Sequence, residues 1–483
     1  MSSPADPIGI DPGDLERCLQ ILGEVSELPV EHPDAVAVRR ATAGLFKTVK
    51  LRRRAERRAA VLAADAAVTA ETATGAAGRI DDETAGRQLR SPTGGPTAGR
   101  LLRPRACYIC KCRYVEVDAF YHQLCPACAA RNHDRREART DLRGRRALLT
   151  GGRAKIGMYI ALRLLRDGAE TTITTRFPRD AARRFAAMAD SPKWLHQLRI
   201  VGIDLRNPAQ VIALADEIAA EGPLEILINN AAQTVRRSAE AYALLAQAEA
   251  AALPPGPLAP IRTFGPGGGS GGLLSPSEAP QRPHWTPTPD ALSALALTVG
   301  AASPERITAG RAIDAGGLVP DLDPANSWSQ HVQDVDPVEL LEVQLCNQTA
   351  PFILVARLRA ALAASAARRT YIVNVSAMEG DFRRGYKGPG HPHTNMSKAA
   401  LNMLTRTSAR EMLRDGILMS SVDTGWITDE RPHPTRMRLA AEGFHAPLDL
   451  VDGASRVYDP IVRGEAGEDV HGCFLKDYRA VPW

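Results

Sequence analysis

From Leu142 onward, short apolar runs rich in β-formers alternate with amphipathic stretches of helical period. RRALLTGG, ETTITTR, LRIVGIDL and LEILINNAA are four such runs, each followed by a helical segment. That rhythm predicts an α/β domain with a doubly wound parallel sheet of Rossmann type. The series stops near Arg237 and resumes near Val335 with a helix over 337–364, a strand in TYIVNVSA, a helix through HPHTNMSKAALNML, a strand in ILMSSVDTGWI and a last strand near GCFLKDY. Between them, LPPGPLAPIRTFGPGGGSGGLLSPSEAPQRP carries too much Pro and Gly for a regular element. The insertion at about 237–334 is therefore predicted as a long irregular loop, functional or disordered.

The N-terminal part has a different pattern. DPGDLERCLQILGEVSEL opens on Asp capping signals and places Leu15, Cys18, Leu19 and Leu22 on one face. A second helix is predicted from about Pro33 to Ala64, so residues 1–68 read as a helical hairpin. The Ala-, Gly-, Thr- and Ser-rich stretch over 69–103 reads as a linker. A cysteine module follows at 104–138, and the Rossmann domain fills 139–483.

Composition changes this picture little. The chain has 483 residues, 44% hydrophobic and 24% charged, which suits two or three globular domains. Net charge is +5, from 60 basic and 55 acidic residues, too mild overall to imply nucleic acid. The charge is uneven, because nine Lys/Arg stand against one Glu between Ala37 and Arg58. A solvated face is the plain expectation for that helix, and an acidic protein partner the sharper one. No apolar run approaches the roughly 18 residues of a membrane span, and the first residues lack a basic-then-apolar signal pattern. These features predict a cytoplasmic protein without membrane association.

Five of the eight cysteines fall within Cys107–Cys128. Cys107 and Cys110 form one CxxC knuckle, Cys125 and Cys128 a second, with 14 residues between them. Four thiolates at this spacing suit a closed, structural Zn²⁺ site. Cys112 and His122 are spare and could replace a ligand. Bracing of the neighbouring domain or docking of a protein partner is expected, with nucleic-acid binding a minor alternative despite the basic segment after Cys128.

TGGRAKIG, Thr150–Gly157, follows a strand and opens a helix, which offers free N–H groups and a positive dipole end to a pyrophosphate. Asp204 ends the third strand, Asn229–Ala232 the fourth and Ser376 the fifth, and Ser397–Leu401 reads SKAAL. With these motifs the chain resembles the short-chain dehydrogenase/reductase family over about 143–236 and 335–483. The resemblance implies that Gly151, Ile156 and Gly157 form the nucleotide turn, that Asp204 contacts adenine, and that Asn229 and Ala231 lie beside the adenosine ribose. It further implies that Asn347 supports a proton-relay water, Ser376 hydrogen-bonds the substrate carbonyl, Lys398 binds the nicotinamide ribose, and the Ile427 backbone holds the carboxamide. Lys155 departs from the usual middle glycine of the turn, and Thr424 replaces the proline after the sixth strand. Arg176 ends the second strand where an acid would favour NAD. With Arg153 and Lys155 it could neutralise a 2′-phosphate, so NADP(H) is expected over NAD(H). Dimers or tetramers are common in the family.

One position breaks the pattern. The family places a tyrosine four residues before the lysine, one helical turn away, and here that position is Thr394. A threonine hydroxyl cannot be tuned toward neutral pH as a phenol can. Tyr386, on the loop entering the helix, is one candidate to fill the vacancy, and His391 or His393 is the other source of the proton. The expected activity is NADP(H)-dependent interconversion of a carbonyl and an alcohol with an atypical proton donor. The alternative is a catalytically silent NADP-binding scaffold or sensor whose added modules recruit partners.

Overall fold

The computed structural model describes residues 9–76, 79, 89, 94–264, 270–274, 314–383 and 387–483. Two compact units divide it, residues 1–67 with 101–103 and residues 68–100 with 104–483. In the first, helix α1 (Pro12–Ser26) starts on Asp11, whose carboxylate accepts from the N–H groups of Gly13 and Asp14. Helix α2 follows over Pro33–Ala70. The predicted stripe of α1 remains in solvent: Leu15, Leu19 and Leu22 are all exposed. The basic face of α2 is exposed too. Asp65 accepts from the backbone of Leu102 at 2.6 Å and Arg103 at 3.3 Å.

The second unit begins with the cysteine module: β1 (Thr97–Ala106), β2 (Arg113–Asp118) antiparallel to it, and α3 (Pro126–Glu137). The alternating part then runs β3 (Arg146–Leu149), α4 (Lys155–Arg166), β4 (Glu170–Thr175), α5 (Pro178–Ala186), β5 (Leu198–Gly202), α6 (Pro208–Ala220) and β6 (Ile226–Asn229). The insertion contributes α7 (Ala243–Ala250), β7 (Ile261–Phe264) and β8 (Ser270–Leu274). After it come α8 (Pro337–Gln344), a π-helical turn at Leu345–Thr349, α9 (Ala350–Ala363), β9 (Thr370–Ser376), α10 (Pro392–Met412), β10 (Ile417–Asp423), α11 (His433–Ala441), α12 (Leu450–Glu465), β11 (Phe474–Lys476) and β12 (Arg479–Val481).

Besides the β1–β2 pair, the ten other strands among the described residues form one sheet in the order β12-β11-β10-β9-β6-β3-β4-β5-β7-β8. All pairings from β11 across to β7 are parallel, and β8 and β12 close the two edges antiparallel. This is the predicted doubly wound sheet, with β3 at the centre and the chain reversing direction between β3 and β6. One face is covered by α6, α9 and α10, whose Leu214, Leu354 and Met412 join Leu227 and Ile372 in the core. The other is covered by α4 and α12.

Two expectations need correction. The insertion does build regular structure: Ile261 and Phe264 are buried, and β7 pairs in parallel with β5. An edge strand is held by main-chain hydrogen bonds and two inward side chains, and flanking Pro and Gly do not prevent that. Residues 275–313 of the insertion lie outside the described residues. The 69–103 stretch is likewise more than a linker. The N–H groups of Ala73 and Thr74 donate to the carbonyls of Ala119 and Phe120 at 3.1 and 2.9 Å, and Thr72 and Thr74 are fully buried.

The cysteine module is pinned to α12 by buried charge. Arg136 makes a two-pronged contact with Asp449 at 2.7 and 2.8 Å and reaches Asp452 at 3.0 Å, while Tyr121 donates to Asp452 at 2.6 Å. Asp449 and Asp452 are the reciprocal capping box of α12. Arg456 on the same helix donates to Asn132 of α3 at 2.8 Å. The module is thus joined to α12 by buried ion pairs and hydrogen bonds. Removing one partner leaves uncompensated buried charge, which costs about 3–5 kcal/mol. Arg136→Ala should lower unfolding stability by that amount, whereas Arg143→Ala, at an exposed pair, should leave it nearly unchanged; chemical denaturation of both variants measures the difference.

Candidate functional site

The nucleotide turn lies where β3 gives way to α4, beside the point of reversal in the sheet. Gly151 has φ +71°, and a Cβ there would come within 3.0 Å of Ala231. A Cβ on Gly157 would lie 1.9 Å from the Gly151 carbonyl oxygen, so only glycine permits this approach. The Thr150 hydroxyl accepts from the N–H groups of Asn230 and Ala231 at 3.0 Å, which locks the turn against the end of β6. Helix α4 begins on Ala154, which has no side chain to cap it. No side-chain cap occupies its first turn, the setting in which helix N–H groups receive an anion. Lys155, in the place of the usual glycine, also takes a positive φ of 53°. A non-glycine residue there costs roughly 1–2 kcal/mol. Its ammonium lies 3.7 Å from Asp314.

A cavity of about 1070 Å³ opens over this turn and the C-terminal ends of the central strands. Gly151, Arg153, Lys155, Ile156, Gly157, Arg176, Asp204, Ala231, Ser376, Thr394, Lys398 and Ile427 all line it. The structure therefore gathers most of the expected residues around one space.

Several do something other than expected. Arg153 is paired with Asp180 at 2.5 Å and lies over the Phe177 ring, so it is not the open cation that a phosphate would meet. Arg176 is the better placed: its guanidinium lies over the rings of Phe177 and Tyr242 and donates to the Tyr242 hydroxyl at 3.2 Å. Asp204 engages Arg206 at 2.6 Å, and that guanidinium holds its carboxyl below the usual range against the opposing effect of burial. Asn229 does not line the cavity; its amide donates to Asn374 at 2.8 Å and ties β6 to β9. Asn347, on the π-helical turn, accepts from Gln233 N–H at 2.7 Å and donates to the Gln233 carbonyl at 2.9 Å. Both ends of its amide thus clamp the chain leaving β6 rather than standing open to a water.

At the other end of the cavity, Ser376 and Thr394 are 2% exposed, and neither hydroxyl has a hydrogen-bond partner among the described residues. Unsatisfied hydroxyls beside a cavity suit a ligand that brings its own partner. Lys398, one turn beyond Thr394 on α10, donates to the Val375 carbonyl at 2.8 Å. Burial pulls its pKa from 10.5 to about 8, with Glu379 opposing. His391, the N-cap of α10, also lines the cavity. It stacks on Trp328 with ring centres 3.8 Å apart, and its Nδ1 lies 2.9 Å from the Trp328 carbonyl. That carbonyl can only accept, so Nδ1 carries the hydrogen and Nε2 is the nitrogen left to act. Burial lowers the His391 pKa. His393 is turned away from the cavity, with Nε2 3.5 Å from Glu339. Tyr386 lies outside the described residues.

The four expected cysteines come together: Cys107, Cys110, Cys125 and Cys128 place their sulfur atoms within 4.8 Å of one another. Tetrahedral thiolates at about 2.3 Å from a metal sit roughly 3.8 Å apart, so the cluster fits one ion. The Cys112 backbone N–H holds the Cys110 thiol down to about 6. Cys112 is outside the cluster. So is His122, whose Nδ1 is 2.8 Å from the Thr74 hydroxyl and whose pKa burial pulls to about 3.

Sequence reasoning missed Tyr108 and Lys111 of the first knuckle, Trp328 of the insertion and Lys476 of β11, all of which line the cavity. No spacing signal marks any of them.

Residues 145–249 match the family model described as short chain dehydrogenase. An uncharacterized protein of Acanthamoeba polyphaga mimivirus is 29% identical over 375 residues, 74% of this chain and 71% of that protein. A probable oxidoreductase of Streptomyces antibioticus is 37% identical over 91 residues, 19% of this chain and 30% of that protein. Among solved structures, the NADPH-bound carbonyl reductase from chicken fatty liver is 18% identical with a TM-score of 0.42, covering 71% of this chain and all of that one. A short-chain dehydrogenase from Burkholderia cenocepacia in complex with NADP is 19% identical with a TM-score of 0.41, covering 70% of this chain and 97% of that one.

The buried ammonium of Lys398 makes the site a stability liability. A lysine whose folded pKa is depressed destabilises fully below that pKa, and the penalty fades as pH rises toward the unfolded value. Lys398→Met should therefore stabilise the ligand-free protein by up to about 3 kcal/mol at pH 7, with the gain shrinking between pH 8 and 10.5. Denaturation of both proteins across that range tests this.

Proposed function

We propose that this chain, a divergent member of the short-chain dehydrogenase/reductase family, is an NADP(H)-dependent oxidoreductase that interconverts a carbonyl and an alcohol with His391 as its acid–base group. The observation that carries the reading is the cavity wall shared by Lys398, Ser376, Thr394 and His391, continuous with the glycine turn. A nicotinamide cofactor, when bound, would supply or accept the hydride. The glycine turn and the first turn of α4 would hold its pyrophosphate. Arg176, over Phe177 and Tyr242, would meet a 2′-phosphate with charge-assisted hydrogen bonds. The Ile427 backbone would orient the carboxamide and Lys398 the ribose.

The remaining chemistry belongs to the residues around the substrate oxygen. Ser376 and Thr394 can each donate a hydrogen bond to it, satisfying hydroxyls that are otherwise alone. In alcohol oxidation, neutral His391 accepts the hydroxyl proton on Nε2, and in carbonyl reduction the protonated ring returns it. Its Nδ1–H bond to Trp328 fixes which nitrogen acts. We assign the four-cysteine cluster as a structural Zn²⁺ site, since four thiolates close the coordination sphere and leave no position for a substrate.

Three measurements test this reading. The purified protein should contain about one equivalent of zinc per chain and bind NADPH. Arg176→Ala should weaken NADPH binding by roughly 10- to 100-fold and leave NADH binding nearly unchanged, the scale of a charged hydrogen bond. Screened against aldehydes, ketones and alcohols, the enzyme should show an oxidation rate with a bell-shaped pH dependence. The acid limb reflects His391, which must be neutral, and the alkaline limb reflects Lys398 near pH 8, which must stay charged. His391→Asn should remove the acid limb and most of the rate. If His391→Asn keeps the rate and Tyr386→Phe abolishes it, the tyrosine is the proton donor instead. NADPH binding without turnover of any compound would favour the silent scaffold.

A further inference from the structure

The first cysteine knuckle does more than hold metal. Its second residue, Tyr108, stands between ligands Cys107 and Cys110, and its N–H donates at 2.8 Å to the carbonyl of Gln123, on the segment leading into the second knuckle, so its backbone is held on both sides. Its side chain leaves the module and enters the cavity wall. There the hydroxyl accepts the backbone N–H of Trp426 at 3.0 Å.

Trp426 is the middle residue of the loop over 424–428 that follows β10. On its far side the Trp426 carbonyl accepts from Leu448 N–H at 3.3 Å, and its indole packs on Phe444 with ring centres 5.2 Å apart. The next residue, Ile427, is buried against Gly453 of α12 and Ile156 of the nucleotide turn; a Cβ on Gly453 would sit 3.0 Å from the Ile427 side chain and 3.5 Å from Ile156. Little slack therefore exists between Trp426 and the backbone expected to hold the nicotinamide carboxamide. Within the same turn the Asp423 carboxylate accepts from Gly425 N–H at 3.0 Å and pairs with Lys476 at 3.0 Å.

We propose that Tyr108 is a positioning residue for the nicotinamide half of the cofactor site: the metal knuckle presents a phenol that holds the Trp426 amide and so sets the Ile427 backbone. The knuckle thereby becomes a wall of the redox site as well as a brace behind it. This rests on the nucleotide and zinc assignments above. The bond is made to the backbone of the loop after β10, at the nicotinamide end of the cofactor.

The test compares full-length wild type with Tyr108→Phe, which keeps the ring, its packing and all four cysteines. Zinc content is measured on both, and binding is titrated with NADPH and with 2′,5′-ADP, which carries only the adenine half. Tyr108→Phe should retain its zinc, bind 2′,5′-ADP within about twofold of wild type, and bind NADPH roughly 5- to 10-fold more weakly, the scale of one neutral hydrogen bond. Equal NADPH affinity in the two proteins overturns the inference. So does a parallel loss of both ligands, which would make Tyr108 a general support of the fold. A wild type that binds neither ligand removes the nucleotide reading itself, and this inference with it; that outcome is recognisable without the variant.

Discussion

The ion cluster at the start of α12 is the constraint on which the arrangement depends. Arg136 arrives from the cysteine module, Asp449 and Asp452 from the first turn of α12, and all three are nearly inaccessible to solvent. Each charge is affordable only because the others are present. Asp449 and Asp452 also cap α12, and α12 in turn packs on α4, the helix that opens on the nucleotide turn. Local helix capping, module docking and the wall of the cavity are therefore one set of interactions. Helix α12 links the parts that four cysteines and a glycine turn each define separately, and Arg163 of α4 reinforces the link by donating to the Ala138 carbonyl at 3.2 Å.

The two ends of the cavity follow different physical rules. At the turn, backbone approach is everything, and glycine is fixed at Gly151 and Gly157 by contacts that leave no room for a Cβ. At the far end, side chains are buried without being satisfied. Among the described residues the Ser376 and Thr394 hydroxyls have no hydrogen-bond partner, and Lys398 keeps an ammonium in a space that disfavours it. A folded protein tolerates such groups where binding later supplies what is missing. Lys398, one helical turn from Thr394, is buried on this wall, and the helix N-cap brings the imidazole of His391 to it.

What the sequence disclosed was whatever repeats at short range. The alternation of strands and helices, the glycine spacing and the paired CxxC motifs each lie within a few turns of chain, and all appear as read. What it concealed joins distant residues. Nothing near Arg153 announces Asp180, nothing near His393 announces Glu339, and Tyr108 meets a residue more than three hundred positions away. The strands of the insertion are hidden for a related reason. A strand at a sheet edge is held by its neighbour's backbone, so its own composition need not advertise it. Gly202 on β5 helps: a Cβ there would lie 2.9 Å from Thr263 of β7, and its absence lets the extra strand settle close.

That extra hairpin has a consequence for how the molecule meets its surroundings. In an open sheet the outermost strand exposes a row of unused N–H and C=O groups, an invitation to another chain. Here β5 is no longer outermost on its side, and β12 closes the opposite side with three residues. Strand addition would have to begin on β8 or β12, both short and antiparallel to their neighbours. Among the described residues, the parallel interior of the sheet is bordered at each margin by a short antiparallel strand, β8 on one side and β12 on the other.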